Sequence, residues 1–391
     1  MLSARASVRW LMRSKLKEAE KFVESHGLRA RCAAPGDLDL ILDDPSVDAV
    51  VICSPTDVHE DQITRSLQAG KAVFCEKPIT SEYASTAACY DLAESQKKPL
   101  FNAFHRRFDP SIREVHAGVQ SQQLGALKMM RISSHDQEHP PIAYIRSSGG
   151  IVKDSTIHDL DLASWMSRSS PKRVYCQGQA FKPEVKECGD FDLVVATVLF
   201  QNGVVATIDN GRKSTQGYDQ RLEVMCDDGG FLVSNSPTSL ASTVQKTKTL
   251  LPPGQSHFVS RYAEAYRIEM EHFINVLEGG RKFRSLSNQG GRKFRSLSNQ
   301  GGRKFRSLSN QGGRKFRSLS NQGGRMFRSL SNQGGRKFRS LSNQGGRKFR
   351  SLSNQGGRRE EMLVTRQDTL AAMAFADAVT KAAKTGQPVD L

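Results

Sequence analysis

The chain has 391 residues, enough for two domains with separate cores. Its formal charge of +17 would suit a nucleic-acid binder, but 20 of the 57 basic residues fall in residues 279–355, which hold no acid, and the remaining 37 face 40 acidic residues for a net of −3. Seven widely spaced cysteines with no CxxC pair argue against a disulfide framework or zinc site, and no apolar run is long enough to span a membrane.

From the start, residues 1–17 are Arg-rich and acid-free. They lack the continuous apolar core of a secretory signal, and that composition also occurs in mitochondrial presequences. The reading adopted is a strand over 8–12 followed by a helix start, in a reduced, cytoplasmic protein. A helix is expected over 15–26, with Ala19, Phe22 and Val23 on one face and Gly27 ending it. A short helix over 38–42 precedes a buried parallel strand over 49–53, a continuous apolar run that stops at Ser54-Pro55. A helix over 59–69 closes at Gly70, a strand over 72–75 ends at Glu76-Lys77-Pro78, and a helix over 83–95 leads to a strand over 100–104. Strands alternating with helices of this length imply βαβ units and a parallel sheet in a first domain, 1–108.

After Asp109 the pattern changes. Strands are expected over 127–133, 174–180, 193–200, 204–208, 222–226 and 231–234. Asn202-Gly203 and Asp228-Gly229-Gly230 sit between runs as turn signals, so hairpins and an open antiparallel sheet follow. With helices over 262–277 and 369–384, this makes a second, α+β domain from 109–278 and 356–391. Between those helices, the unit GGRKFRSLSNQ occurs seven times over 279–355, with Met326 its one deviation. An 11-residue period suits a right-handed supercoil. The double glycine in each copy opposes helix by roughly 2 kcal/mol per repeat relative to alanine, so a disordered insert is expected. Removing it leaves a short helix–helix loop, and carrying it costs only ~2–3 kcal/mol of closure entropy.

Three stretches hold chemistry. Ser54-Pro55-Thr56-Asp57-Val58-His59 follows a parallel strand, where open α/β sheets bind ligands, although Pro-Thr-Asp is also an ordinary helix start. Ala69–Pro78 reads AGKAVFCEKP and places Lys77 at a buried strand end; a surface turn is the competing reading. In the block from Gly149 to Asp161, GGIVKDSTIHDLD, Asp154 and His158 are four apart and share one face if helical. A carboxylate beside an imidazole can fix its orientation and raise its basicity; a helix cap with an ordinary histidine, or a metal site, are the alternatives.

Together these blocks resemble the glucose–fructose oxidoreductase and inositol dehydrogenase family, over residues 8–278 and again from Arg358. The spacing of AGKxVxCEKP against GGxxxDxxxHDxD is the specific part. Phe104-His-Arg-Arg-Phe-Asp-Pro110, Gly217-Tyr-Asp-Gln220 and Arg261-Tyr-Ala-Glu-Ala-Tyr266 point to the inositol 2-dehydrogenase branch. The resemblance implies an α/β chain: an incomplete Rossmann-like parallel sheet domain followed by the α+β domain with its open antiparallel sheet. It implies an NAD(P)-dependent oxidoreductase that takes hydride from a secondary hydroxyl of a polyol or sugar, and a homo-oligomer formed through the antiparallel sheet. Lys77, Asp154 and His158 would be catalytic: Lys77 on the substrate hydroxyl and nicotinamide ribose, Asp154 holding substrate, His158 accepting the hydroxyl proton. Ser54, Pro55, Thr56, His59, Glu76 and Lys77 would line the cofactor, and His135, Tyr218 and Tyr266 would contact substrate. No metal is implied.

The sequence departs from the family at its start. The family's first strand and GxGxxG loop, whose amides hold a pyrophosphate, have no counterpart here. The residue aligned with the family's ribose-binding acid is Arg13; an arginine there either favours NADP or carries no meaning in a truncated chain, so NAD and NADP both stay open. The chain as written is therefore expected to bind dinucleotide poorly, from a truncated or misassigned start. Two other functions remain open on the sequence: a catalytically inactive relative that binds a polyol, and a basic repeat arm that binds nucleic acid non-specifically.

Overall fold

A computed structural model describes residues 5–215, 217–235, 243–244, 249–250, 255, 257–279 and 362–391. The chain divides into two compact units, Met1–Ile274 with Met362–Leu391, and Asn275–Glu361. Beyond Gly279 the repeat of the second unit, and the disorder expected of it, lie outside the described residues.

The N-terminal third runs β1 (Trp10–Met12), α1 (Leu16–Ser25), β2 (Arg31–Ala33), α2 (Leu38–Leu42), β3 (Ala49–Ile52), α3 (His59–Gln68), β4 (Ala72–Glu76), α4 (Tyr83–Ser95) and β5 (Leu100–Ala103). Its strands pair in parallel, as the alternation of elements implies, but in two separate sheets, β1-β2 and β3-β4-β5. The core is divided the same way. Trp10 and Met12 pack on Ala33, Ile41 and Val47 in one cluster, while Ile52, Ile63, Leu67, Val73, Cys75 and Leu100 belong to another. Among the described residues β1 and β3 each keep one unpaired edge. The consequence is plain on β3: its apolar run leaves Val51 49% exposed, whereas the adjacent central strand β4 is buried from Ala72 to Cys75.

The chain leaves β5 through a tight turn, His105–Phe108, and enters α5 (Pro110–Gln120). Asp109 caps α5 by accepting from the amides of Ser111 and Ile112, and Pro110 takes the first helical position, where its missing N–H costs nothing. There follow β6 (Leu127–His135), α6 (Ile142–Ser147), α7 (Ile157–Ser167), β7 (Pro171–Gln179), α8 (Pro183–Glu187), β8 (Leu193–Phe200), β9 (Val205–Gly211), β10 (Asp219–Cys226) and β11 (Gly230–Val233). A short ribbon, β12 (Thr243–Val244) with β13 (Thr249–Leu250), precedes α9 (Phe258–Arg261) and α10 (Ala263–Leu277); α11 (Arg366–Thr385) and β14 (Val389–Asp390) close the chain.

The large sheet has seven strands in the order β11-β10-β6-β9-β8-β7-β14. Both expected hairpins form, β8 with β9 and β10 with β11. The sheet is nevertheless mixed rather than wholly antiparallel, because β6 and β9 run parallel. The chain leaves β6 through α6 and α7, starts again at β7 and works back by hairpins, so β9 arrives beside β6 in the same direction. Alternation sorts the side chains: Met130, Ile132 and Ser134 of β6 are buried under the helices, and Arg131, Ser133 and His135 occupy the other face.

Candidate active site

The carboxyl ends of β4 and β5 converge on the start of α7. Two arginines fix this meeting. Arg106 donates to Asp159 at 2.5 Å and to Ser134 Oγ at 2.9 Å; Arg107 grips Asp161 through Nε at 2.8 Å and Nη2 at 2.6 Å. All four charged groups are buried. Burial opposes ionisation of both carboxyls, and the adjacent guanidiniums oppose that rise. Paired arginines after β5 and an Asp-x-Asp in α7 thus bring two distant sequence blocks to one place.

The segment before α7 is shaped for the site. Gly149 and Gly150 take positive φ, +82° and +88°, and a β-carbon on Gly150 would meet Asp190 Oδ1 at 3.2 Å. That carboxylate accepts from Ile151 N at 2.9 Å and from Arg212 at 2.7 Å. Val152–Thr156 then forms a wide, π-helical turn that carries Asp154. Asp154 is surrounded by donors. Tyr144 donates to Oδ1 at 2.7 Å, Arg212 to Oδ2 at 3.1 Å, and Lys77 Nζ stands 3.6 Å from Oδ1 while also donating to the Asp154 carbonyl. The expected use of Asp154 to orient His158 is therefore not what the geometry shows. Its carboxylate is committed to Lys77, Tyr144 and Arg212, and Nδ1 of His158 has no partner. Asp154 makes no helix cap either.

His158 sits in the first turn of α7, 7% exposed, beside Phe104 at 6.0 Å and His105 at 4.7 Å between ring centroids. Burial pushes its imidazole well below the usual range, and His105, Lys77 and Arg106 push it the same way, so it is neutral at pH 7. Tyr266 of α10 stacks on His105 at 4.6 Å, and Tyr218 meets Tyr262 edge-on at 6.4 Å. Burial raises both the Tyr218 and Tyr266 phenols. Lys77, Asp154, His158, Tyr218 and Tyr266 therefore gather at one rim.

His135 does not join them. It lies on the other face of the sheet, with Nε2 3.1 Å from Asp209 and Nδ1 3.4 Å from Asp219, because strand alternation turns it away from its neighbour Ser134. The residue after it, Asp136, does face the cluster. Burial raises its carboxyl, Asp154 adds to the rise, and Arg106, Arg212 and Lys77 oppose it. Asp136, Tyr144, His105 and Arg212 were missed by motif reading. Only His105 had a signal, its place in the FHRRFDP block.

The cofactor positions divide. Glu76 stands at the end of β4 beside Lys77, its carboxyl raised by burial. Ser54 donates to Gln62 at 2.7 Å. His59 is buried with its ring nitrogens 2.8 and 3.0 Å from the carbonyls of Ser54 and Pro78, so it ties the ends of β3 and β4 together. Pro55 is exposed and Thr56 partly so. Arg13, at the end of β1, pairs with Glu18 at 3.4 Å. Glu76, Lys77 and His158, whose Nδ1 has no partner, are the residues that would hold the nicotinamide end of a dinucleotide. The pyrophosphate end has no cradle among the described residues: Gly27, Gly36 and Gly70 are the glycines of residues 5–104, and none brings backbone close to another group. Among the described residues no group of His, Cys, Asp or Glu is placed to hold a metal, and no helix is long and apolar enough to cross a membrane.

Known proteins are similar to this chain in sequence and in fold. Residues 2–104 match the oxidoreductase family with an NAD-binding Rossmann fold, and residues 112–232 match the GFO/IDH/MocA C-terminal domain. The inositol 2-dehydrogenase of Rhizobium meliloti (strain 1021) is 36% identical over 272 residues, covering 69% of this chain and 81% of the relative. The myo-inositol 2-dehydrogenase of Thermotoga maritima is 33% identical over 249 residues, covering 61% and 72%. The crystal structure of a myo-inositol dehydrogenase from Corynebacterium glutamicum superposes with a TM-score of 0.73 over 98% of this chain and 91% of that one; at 24% identity it speaks for the fold alone. With both domains matched and the first relative well covered, this chain belongs to the GFO/IDH/MocA oxidoreductase family.

Proposed function

We propose that the chain is an NAD-dependent oxidoreductase of the inositol 2-dehydrogenase type, acting on a secondary hydroxyl of a polyol or sugar. The observation that carries this is the convergence of Lys77, Asp154 and a neutral, buried His158 at the ends of β4 and α7. NAD, when bound, supplies the hydride acceptor. Lys77 holds its ammonium where an alkoxide develops and stabilises that charge. Asp154, fixed by Tyr144 and Arg212, orients Lys77 and accepts from a second substrate hydroxyl. A ring nitrogen of His158 takes the hydroxyl proton; the imidazole is uncharged at neutral pH and so competent as a base. Asp136, Tyr218 and Tyr266 line the rim and select a polyhydroxylated ring.

The separation of β1-β2 from β3-β4-β5 among the described residues favours a second reading: a polyol-binding relative with weak cofactor affinity. We also infer a homo-oligomer built on the outer face of the large sheet, where Tyr175, Val195 and Leu199 are exposed. Nucleic-acid contact is confined to the repeat, and seven free cysteines suit a reducing, cytoplasmic setting. Assaying a panel of inositols and sugars with NAD and with NADP tests the main reading. Oxidation of a cyclic polyol with NAD preferred is expected. Saturable polyol binding without turnover under any condition would establish the second reading instead.

A further inference from the structure

The tight turn after β5 puts a second imidazole against His158. The His105 ring is 4% exposed and held from several sides: Tyr266 stacks on it at 4.6 Å and 24°, Tyr262 meets it edge-on at 4.8 Å, and His158 does so at 4.7 Å and 74°. Neither nitrogen of His105 has a hydrogen-bond partner, nor has Nδ1 of His158. Three orphaned nitrogens in two touching rings are costly, because each buried polar group left unsatisfied costs about 1–3 kcal/mol. Packing alone would be served better by phenylalanine, which gives the same ring contacts and no orphans.

We infer that His105 is a positioning residue for His158: the two imidazoles form one proton-binding unit that holds no more than a single proton, and His105 keeps His158 in its neutral, proton-accepting form. The inference rests on reading His158 as the base. Two charged imidazoles in contact and out of water repel strongly, so a proton on one bars a proton on the other. The charged groups acting on His105 are Arg106 of its own turn, Lys77 after β4 and Arg261 of α9; Tyr262 between α9 and α10, Tyr266 of α10 and His158 of α7 face it. All three cations oppose a charge on His105, as does burial. Burial and His105 both oppose a charge on His158.

The test is an NMR titration of the full chain with isotope-labelled histidine rings, assigned by single substitutions, and it requires neither cofactor nor turnover. In the wild type, no more than one proton is expected across the two rings, whose centroids are 4.7 Å apart. In His105→Phe, which preserves the stacking on Tyr266, the His158 midpoint should move up by about one pH unit. The His116 signal, from a ring stacked on Trp165 at 3.6 Å, reports whether the variant is folded. If His158 titrates unchanged in the folded variant, or if both wild-type rings gain full protons independently, the inference is overturned. If the variant does not fold, the wild-type titration decides alone. The companion readout is the pH dependence of polyol oxidation. Coupled rings with an activity indifferent to His158 would sink the mechanism and leave the pair intact, so the two failures are separable.

Discussion

Glu269, on α10, is fully buried, and neither of its carboxyl oxygens has a hydrogen-bond partner. Burial, with the nearby Glu76 carboxyl adding to it, holds its pKa well above the ordinary range. The folded state therefore keeps a proton that the unfolded state releases, and stability falls as pH rises from the unfolded carboxylate range through the folded pKa. Glu269→Gln, neutral at every pH, should melt a few degrees higher than wild type at pH 8 and no higher at pH 4, by calorimetry at both. Equal shifts at both would show that the proton is not the cause. At the same scale, Asp154→Asn keeps the shape and removes the charge next to Lys77. Substrate KM should rise and the pH profile should change; a silent substitution would reduce Asp154 to a structural role. The block holding Asp154 and His158 was visible in the sequence, but the partners that hold the Asp154 carboxylate were not. The donors that claim Asp154, Tyr144 and Arg212, come from α6 and from the end of β9, and no local spacing connects them to it. His135 was misplaced by a single position for the same reason: strand alternation decides which of two adjacent residues faces the helices, and the strand runs two residues further than its apolar pattern.

At the level of elements, α11 belongs to the body although it follows the repeat in sequence. Thr369 accepts from Tyr90 or donates to it at 2.9 Å and receives Asn102 at 3.2 Å; Phe375 packs edge-on to Phe200; Arg107 reaches Asp368 at 3.2 Å and the Leu363 carbonyl at 3.1 Å. Beyond the helix, β14 adds an edge strand to β7. The 77 residues between are read as a tolerated insertion, since closing a longer loop costs only the logarithm of its length. Deleting 279–355 should leave the melting temperature within about 2 °C of wild type, roughly 0.5 kcal/mol in a body this size. A larger drop would mean that the repeat packs on the fold. Long elements with a clear period, such as α4 and β8, match the sequence reading to the residue. Among what escaped it were the helices α5, α6 and α8, the short strands β2 and β14, and the parallel pairing of β6 with β9, which depends on where the chain crosses the sheet and not on any strand's own pattern.

For the whole molecule, charge and chemistry are in different places. The excess of basic residues lies in the repeat, and the chemistry lies at the rim where β4, β5 and α7 meet. This arrangement predicts an enzyme whose chemical step depends on the cluster of Lys77, Asp154 and His158. The most direct test is the rate of NADH formation by the full chain with saturating cyclic polyol and NAD raised into the millimolar range, for wild type and His158→Ala side by side. Turnover that saturates with NAD and falls about a hundredfold or more in folded His158→Ala at neutral pH is expected. Undiminished turnover in that variant would contradict it.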